Sequence, residues 1–311
     1  MLRNAPLIFA NTGHNRFMKI QVSSILLASS LFAIAKIDPE PENRSPMTEM
    51  PGRFGVLFGG ASQESGTSEF SWEQLTLQGG FGLRKALNDE LKLFYGMNYR
   101  LTRIDEGEFS TGADLSHLHD LIVPFSLIYD SLDSPWSFFA QISGQLASDF
   151  SDITGDDFDY SARLGAQYKF SNTFSLNFGA ARVRNFGDAM VLPALGCIWQ
   201  PANDWSFTLL GPRITLSHQI SDRLIIRGGG FPTGGLWNIE DDTGNAVDYG
   251  FASYNTGVGI DFKLRRGIWL TAWAGANFVN ELRAEKNGDT IFEEDLDNGL
   301  FGYLGINLYE W

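Results

Sequence analysis

Ala252-Ser253-Tyr254-Asn255-Thr256-Gly257-Val258-Gly259-Ile260-Asp261-Phe262-Lys263 alternates without a break. Ala252, Tyr254, Thr256, Val258, Ile260 and Phe262 fall on one side of an extended chain, opposite Ser253, Asn255, Gly257, Gly259, Asp261 and Lys263. A period of two puts each set on one face of a pleated strand. Strands of soluble domains usually run about 5–6 residues, and this pattern holds for far longer. A tilted strand needs about 9–11 residues to cross hydrocarbon. The stretch predicts a membrane-crossing strand whose apolar face meets lipid.

The same rhythm recurs on both sides of it. Leu91, Leu93, Tyr95, Met97, Tyr99 and Leu101 oppose Lys92, Gly96, Asn98, Arg100 and Thr102. Trp136, Phe138, Ala140, Ile142, Gly144 and Leu146 oppose Ser137, Gln141, Ser143 and Gln145, and Tyr160 to Lys169 behaves alike. Connections also alternate in kind. Short turns stand at 87–89, 131–134, 171–173, 201–204, 221–222 and 265–267, with mostly longer, acidic loops near 62–68, 104–116, 148–157, 231–249 and 283–297. Short turns on one side and long loops on the other mark a bacterial outer-membrane barrel. An open sheet edge is not tolerated in hydrocarbon, so the strands must close.

The expected fold is all-β, a transmembrane antiparallel up-and-down barrel over 52–311. Fourteen strands are predicted, near 52–61, 69–84, 90–103, 117–130, 135–147, 157–170, 173–185, 189–200, 204–210, 213–220, 222–230, 248–264, 268–282 and 297–310. Proline cannot donate to a ladder, so reading Gly211-Pro212 as a bulge lowers the count to twelve. Tyr129, Trp136, Phe170, Phe174, Trp199, Trp205 and Trp269 stand beside the short turns, where an aromatic girdle is expected.

Residues 20–35 form the one segment apolar enough to engage a translocon, after Met18-Lys19 and ending in Ala33-Ile34-Ala35. It has the form of a signal peptide, residues 18–35, with 1–17 an upstream extension or mis-called start. A buried helix or membrane anchor is the competing reading, against which its length and its serines count. Residues 36–51 read as a flexible lead-in. Trp311 gives the chain an aromatic end of the kind the barrel-assembly machinery recognises, although Glu310 interrupts the apolar face.

Composition narrows function more than it names it. A formal net charge of −14 argues against nucleic acid as a partner, and the single Cys197 excludes a disulfide framework. A mean hydropathy of −0.11 excludes a bundle of membrane helices. With the apolar face toward outer-membrane lipid, Lys92, Arg100, Arg163, Lys169, Arg213, Arg223, Arg227, Lys263 and Asp261 are the candidates to line the lumen, along with Arg84. Rings of Lys and Arg favour anions in pores, so a channel for small polar or anionic solutes is expected. The competing readings are a lumen held shut by loop carboxylates, giving a structural or surface-interaction barrel, and an outer-membrane lipid-modifying enzyme. The acidic loops, 149–159, 240–248 and 293–297, are possible seats for divalent cations, but none has calcium-loop spacing. His117 and His119 could share a strand face without an evident third ligand, and His218 falls on the lipid side. No catalytic residue, metal site or cofactor is expected, because no hydrolase, metalloprotease or phosphate-loop motif occurs.

Pro193-x-x-Gly196-x-x-Trp199-x-Pro201-x-x-x-Trp205, followed by Gly211-Pro212 and Ser221-Asp222-x-Leu224, resembles a family of uncharacterised bacterial proteins with predicted outer-membrane barrels. The resemblance is sharpest over about 190–230. It implies a β-barrel and carries no activity to transfer. Trp199 and Trp205 flank a tight turn there, with Pro201 where the ladder ends.

Overall fold

The computed structural model describes residues 52–62, 69–80, 90–105, 113–185, 188–241 and 244–308. The expected extension 1–17, signal peptide 18–35 and lead-in 36–51, together with Arg84 and Trp311, lie outside them. The strands are β1 (Gly52–Ser62), β2 (Glu69–Gly80), β3 (Leu91–Asp105), β4 (Leu118–Asp130), β5 (Trp136–Ser148), β6 (Phe158–Lys169), β7 (Phe174–Asn185) and β8 (Asp188–Ala202). They continue as β9 (Trp205–Leu210), β10 (Arg213–Ser221), β11 (Leu224–Glu240), β12 (Ala246–Arg265), β13 (Ile268–Lys286), β14 (Asp289–Leu296) and β15 (Gly299–Leu308). One 3-10 turn, Gly155–Asp157, precedes β6.

Neighbours from β1 to β13 pair antiparallel in chain order, β13 also pairs with β15, and β15 returns to β1. The result is a closed antiparallel barrel of fourteen strands. β14 pairs with β13 beyond the ring and adds no wall strand. Gly211 and Pro212 form a two-residue turn between two wall strands, with Gly211 at φ 58°, so the twelve-strand alternative falls. Glycine adopts such a left-handed φ without strain, which is why it suits this tight hairpin.

Alternation sets the two faces as expected. Phe54, Phe58, Val123, Phe125, Phe138, Ile142, Leu164, Leu195, Val258, Ile260, Leu300 and Leu304 are exposed around the outside. An apolar belt of this extent in water would be an aggregation surface. On a closed barrel it is the face for hydrocarbon. Near the short turns, rings follow one another across β4 to β7: Tyr129–Phe138 at 6.4 Å, Trp136–Phe138 at 6.0 Å, Trp136–Tyr168 at 4.8 Å, Tyr168–Phe170 at 4.7 Å and Phe170–Phe174 at 5.7 Å. Trp199 and Trp205 are exposed on the same rim, and Trp205 stacks on His218 at 4.2 Å. Trp269 departs from the expected girdle. It is fully buried and shares parity with buried Thr271, while Leu270 between them is exposed, so the indole points into the barrel.

The long-loop end, here the mouth, also departs from expectation. The sequence predicts a loop over 231–249, yet β11 runs to Glu240 and β12 starts at Ala246. Residues 283–297 likewise hold the end of β13 and all of β14. The extended β11 leans across the mouth, where Asn238 pairs in parallel with Ser148 of β5. Arg184 of β7 reaches Asp248 of β12 at 2.8 Å, and Asn238 donates to the same carboxylate at 2.8 Å. Beneath this bridge, side chains from facing walls merge into one apolar core. Trp72, Ile104, Leu118 and Ala147 from β2 to β5 meet Trp237, Ile239, Tyr249, Phe251 and Leu282 from β11 to β13.

Candidate functional site

Between the mouth core and the short-turn end lies a cavity of about 110 Å³. A water needs roughly 10–15 Å³ of such space, so it accommodates several waters or a small polar group. Four inward arginines line it, Arg53, Arg100, Arg163 and Arg213, with Arg182 bordering it from the outward parity of β7, together with amides and hydroxyls such as Gln74, Gln78, Asn98, Gln141 and Ser143. No carboxylate is among the described lining residues.

Each guanidinium is held by the strand opposite or beside it. Arg100 pairs with Asp120 of β4 and donates through Nη1 to the Gly234 carbonyl at 3.2 Å. Arg163 donates to Gln141, whose Nε2 donates onward to Ser143 Oγ at 3.3 Å. Arg213 lies over the Phe231 ring at 5.5 Å. Arg53 donates to the Tyr303 hydroxyl at 2.9 Å and lies over that ring. Arg182 sits over Tyr160 at 3.7 Å, with Asp159 at 3.5 Å. Across the cavity, Thr233 Oγ1 and Gln74 Oε1 approach at 3.4 Å, and Gln74 donates to Thr102 at 3.1 Å.

Three of the expected lumen residues thus converge on this cavity: Arg100, Arg163 and Arg213. Arg227 and Asp261 form a second group nearer the short turns, at 2.5 Å, with the Thr271 hydroxyl donating to Asp261 at 2.7 Å. Lys92 pairs with Asp130 at 2.9 Å, and Lys263 lies over Trp269 at 5.3 Å. Lys169 is exposed at the last residue of β6. Arg223 does not line the lumen: it sits exposed in the turn between β10 and β11. Sequence reading passes over Arg53, Arg182 and Asp120. Parity signals Arg53, which alternates with outward Phe54, and Asp120, which shares its strand face with Ile122 and Pro124, whereas Arg182 has outward parity and gives no such signal.

Several carboxylates of the acidic loops have partners in the chain. Asp157 accepts from the Thr154 amide at 2.6 Å, Asp248 serves Arg184 and Asn238, and Asp241 pairs with Lys286 at 3.2 Å. Among the described residues no three His, Cys, Asp or Glu side chains gather as a metal site. His117 bonds Ser116 at 2.7 Å and His119 bonds the Tyr99 hydroxyl at 2.7 Å, so the two histidines serve different neighbours.

A closed ring of antiparallel strands, apolar outside and polar within, defines a transmembrane β-barrel protein. The chain belongs to the family described as Domain of unknown function (DUF6268), whose model matches residues 61–309. No curated protein matches it. Solved structures similar to it include a Pseudomonas aeruginosa FadL homologue, at 12% identity over 91% of this chain and 97% of that one, with a TM-score of 0.45. The Pseudomonas putida toluene transporter TodX matches at 12% identity over 84% and 90%, with a TM-score of 0.30. The translocator domain of the autotransporter NalP from Neisseria meningitidis matches at 10% identity over 95% and 96%, with a TM-score of 0.31. At these scores nothing of those proteins' activities carries over.

Proposed function

We propose that this barrel resides in the bacterial outer membrane and passes small polar or anionic solutes, with the arginine-lined cavity as its selective site. The observation that carries the reading is the cluster of four inward arginines, Arg53, Arg100, Arg163 and Arg213, in a lining with no described carboxylate. Fixed guanidiniums in a narrow, partly dehydrated space attract anions and repel cations, and their fork geometry suits carboxylate and phosphate. The test is conductance of the refolded full chain in a planar bilayer under a salt gradient. A reversal potential on the chloride side is expected, moving toward the potassium side in the Arg163→Glu/Arg213→Glu variant. Cation preference in the unaltered chain, or a reversal potential indifferent to both charge reversals, sinks this reading.

A second reading has its own observation. The mouth core joins β2 to β5 with β11 to β13 across the axis, as expected of a barrel that does not conduct along its axis. Absence of any conductance step, in the unaltered chain and after the mouth core is cut back, favours that reading.

A further inference from the structure

We propose that the barrel has a side entrance between β8 and β11 that opens to the outer leaflet and admits a single-chain amphiphile with an anionic head, of the long-chain carboxylate class. It rests on the cavity as an anion site and names the solute that would fit it.

The entrance is a break in the wall. β9 and β10 are six and nine residues long, between strands of fifteen and seventeen. β8 pairs with β9 only from Gly196 toward the short turn, and β11 pairs with β10 only as far as Gly230. Among the described residues, no wall strand stands between β8 and β11 beyond those positions. Six tilted residues rise about 15 Å, against an apolar band about 25 Å tall. Since β9 starts at the aromatic rim, the break lies in the leaflet on the mouth side.

The two edges of the break are built differently from ladder strands. The Leu195 carbonyl accepts from the Gly211 amide at 3.0 Å, so Leu195 turns its peptide groups toward β9. By alternation Pro193 faces the break in the same direction. The Arg223 carbonyl accepts from the Lys263 amide at 2.9 Å, so odd residues of β11 serve β12 and even ones, Pro232 among them, face the break. Each edge therefore carries a residue with no N–H where a closing ladder would need one. The β11 edge is satisfied from within: Gly234 takes Arg100, and Asn238 takes Ser148. The strand leans into the lumen, and among the described residues the upper part of β8 has no ladder partner on that side.

The lining changes character at the same place. Val191 and Leu195 of β8 are 70% and 71% exposed on the outside. On the inside, where other strands carry polar residues, Met190 and Leu192 pack on Ala181 and Val183 of β7. A strand apolar on both faces fits hydrocarbon on both. Immediately inward, Ala181, Arg213 and Pro232 belong to the cavity lining, so the break and the cavity share their walls. An acyl chain matches the first surface and a carboxylate matches the guanidiniums behind it. Such a molecule, unlike a small ion, need not cross the apolar mouth core.

The test uses the full chain in phosphatidylcholine nanodiscs, in a Cys197→Ser background, with single cysteines at three positions. N-dodecylmaleimide is the membrane-borne probe, and dodecanoate and dodecanol are the competitors. Leu192→Cys, inside the break, is expected to react about as fast as outward Val191→Cys and at least about tenfold faster than lumenal Asn177→Cys. Dodecanoate is expected to slow Leu192→Cys about tenfold with dodecanol inert, and Arg213→Gln to abolish that protection. Labelling of Leu192→Cys at the Asn177→Cys rate overturns the entrance. Protection by dodecanol equal to dodecanoate, or protection unchanged by Arg213→Gln, overturns the anionic amphiphile. The salt-gradient reversal potential reports the anion channel separately: anion selectivity with no dodecanoate protection removes only this inference, and protection without ion conduction removes only the solute channel.

Discussion

Arg227 of β11 and Asp261 of β12 are diagonal neighbours across one ladder, where Arg227 faces Gly259 and Asp261 faces Ile225, and their side chains meet at 2.5 Å inside the barrel. Asp261 is almost wholly buried and also takes the Thr271 hydroxyl, which in turn accepts from Asn307 at 2.5 Å. The network ties β11, β12, β13 and β15. Removing one member strands the other charge. Asp261→Leu is expected to cost about 3 kcal/mol, the low end for a buried pair because Arg227 keeps some solvent contact. Arg227→Met/Asp261→Leu should recover most of that loss, since two apolar groups replace two desolvated charges. Urea unfolding in lipid vesicles measures both, and a double variant no better than the single would contradict the account.

Asn277 is expected to hold the fork at which β13 exchanges β15 for β14. Its amide donates to the Gly60 and Leu300 carbonyls at 3.2 Å each, and its oxygen accepts from Gly299 at 2.8 Å and Asn280 at 2.9 Å. The side chain is fully buried, so truncation leaves backbone groups without partners. Asn277→Ala should cost about 2–3 kcal/mol. The loss should be local: amide exchange should quicken at Gly299 and its neighbours on β1 before the rest of the ring. Uniform exchange across the barrel would count against it.

Much of this architecture was legible in the sequence, for a physical reason. Residues 252–263 separate lipid from lumen at every step, so alternation alone assigns the strand and both its faces. The same logic failed at 231–240. Phe231-Pro232-Thr233-Gly234-Gly235 carries the punctuation of a loop, and β11 there is buried on both faces, which erases alternation. Trp269 shows a different limit. Proximity to a turn places a ring at the membrane boundary but leaves open which face it takes, and parity with Thr271 decides that. The Arg100–Asp120 pair is set by register, Arg100 facing Asp120 across β3 and β4, which sequence spacing alone does not supply.

The prolines of the barrel give contrasting expectations. Pro193→Val adds an N–H that faces the break, and about 2 kcal/mol should be lost, up to about 1 of it through the freer unfolded chain. Pro124 of β4 is the control. The Asp130 amide donates to the Glu90 carbonyl at 2.8 Å, so even residues of β4 face β3, and a restored N–H at 124 meets the Gly96 region. There a gained hydrogen bond offsets the same chain-entropy cost, and Pro124→Val should be near neutral. Thermal unfolding in one detergent compares the two. Equal losses would remove the special status of Pro193.

Trp237 decides whether the mouth core governs passage along the axis. It is almost fully buried where β11 crosses the mouth, within one cluster with Trp72, Ile104, Leu118 and Phe251. Trp237→Ala should cost about 3–5 kcal/mol, the range for deleting a large buried aromatic. The void opens within the apolar core that spans the mouth, so unit conductance should rise and the anion preference of the arginines below should persist. A fall in stability without a rise in conductance places the barrier elsewhere. A rise with loss of selectivity assigns selectivity to the mouth rather than to Arg100, Arg163 and Arg213. Planar-bilayer recordings of Trp237→Ala beside Trp237→Phe separate these outcomes, because phenylalanine keeps most of the filling and should leave the conductance near that of the unaltered chain.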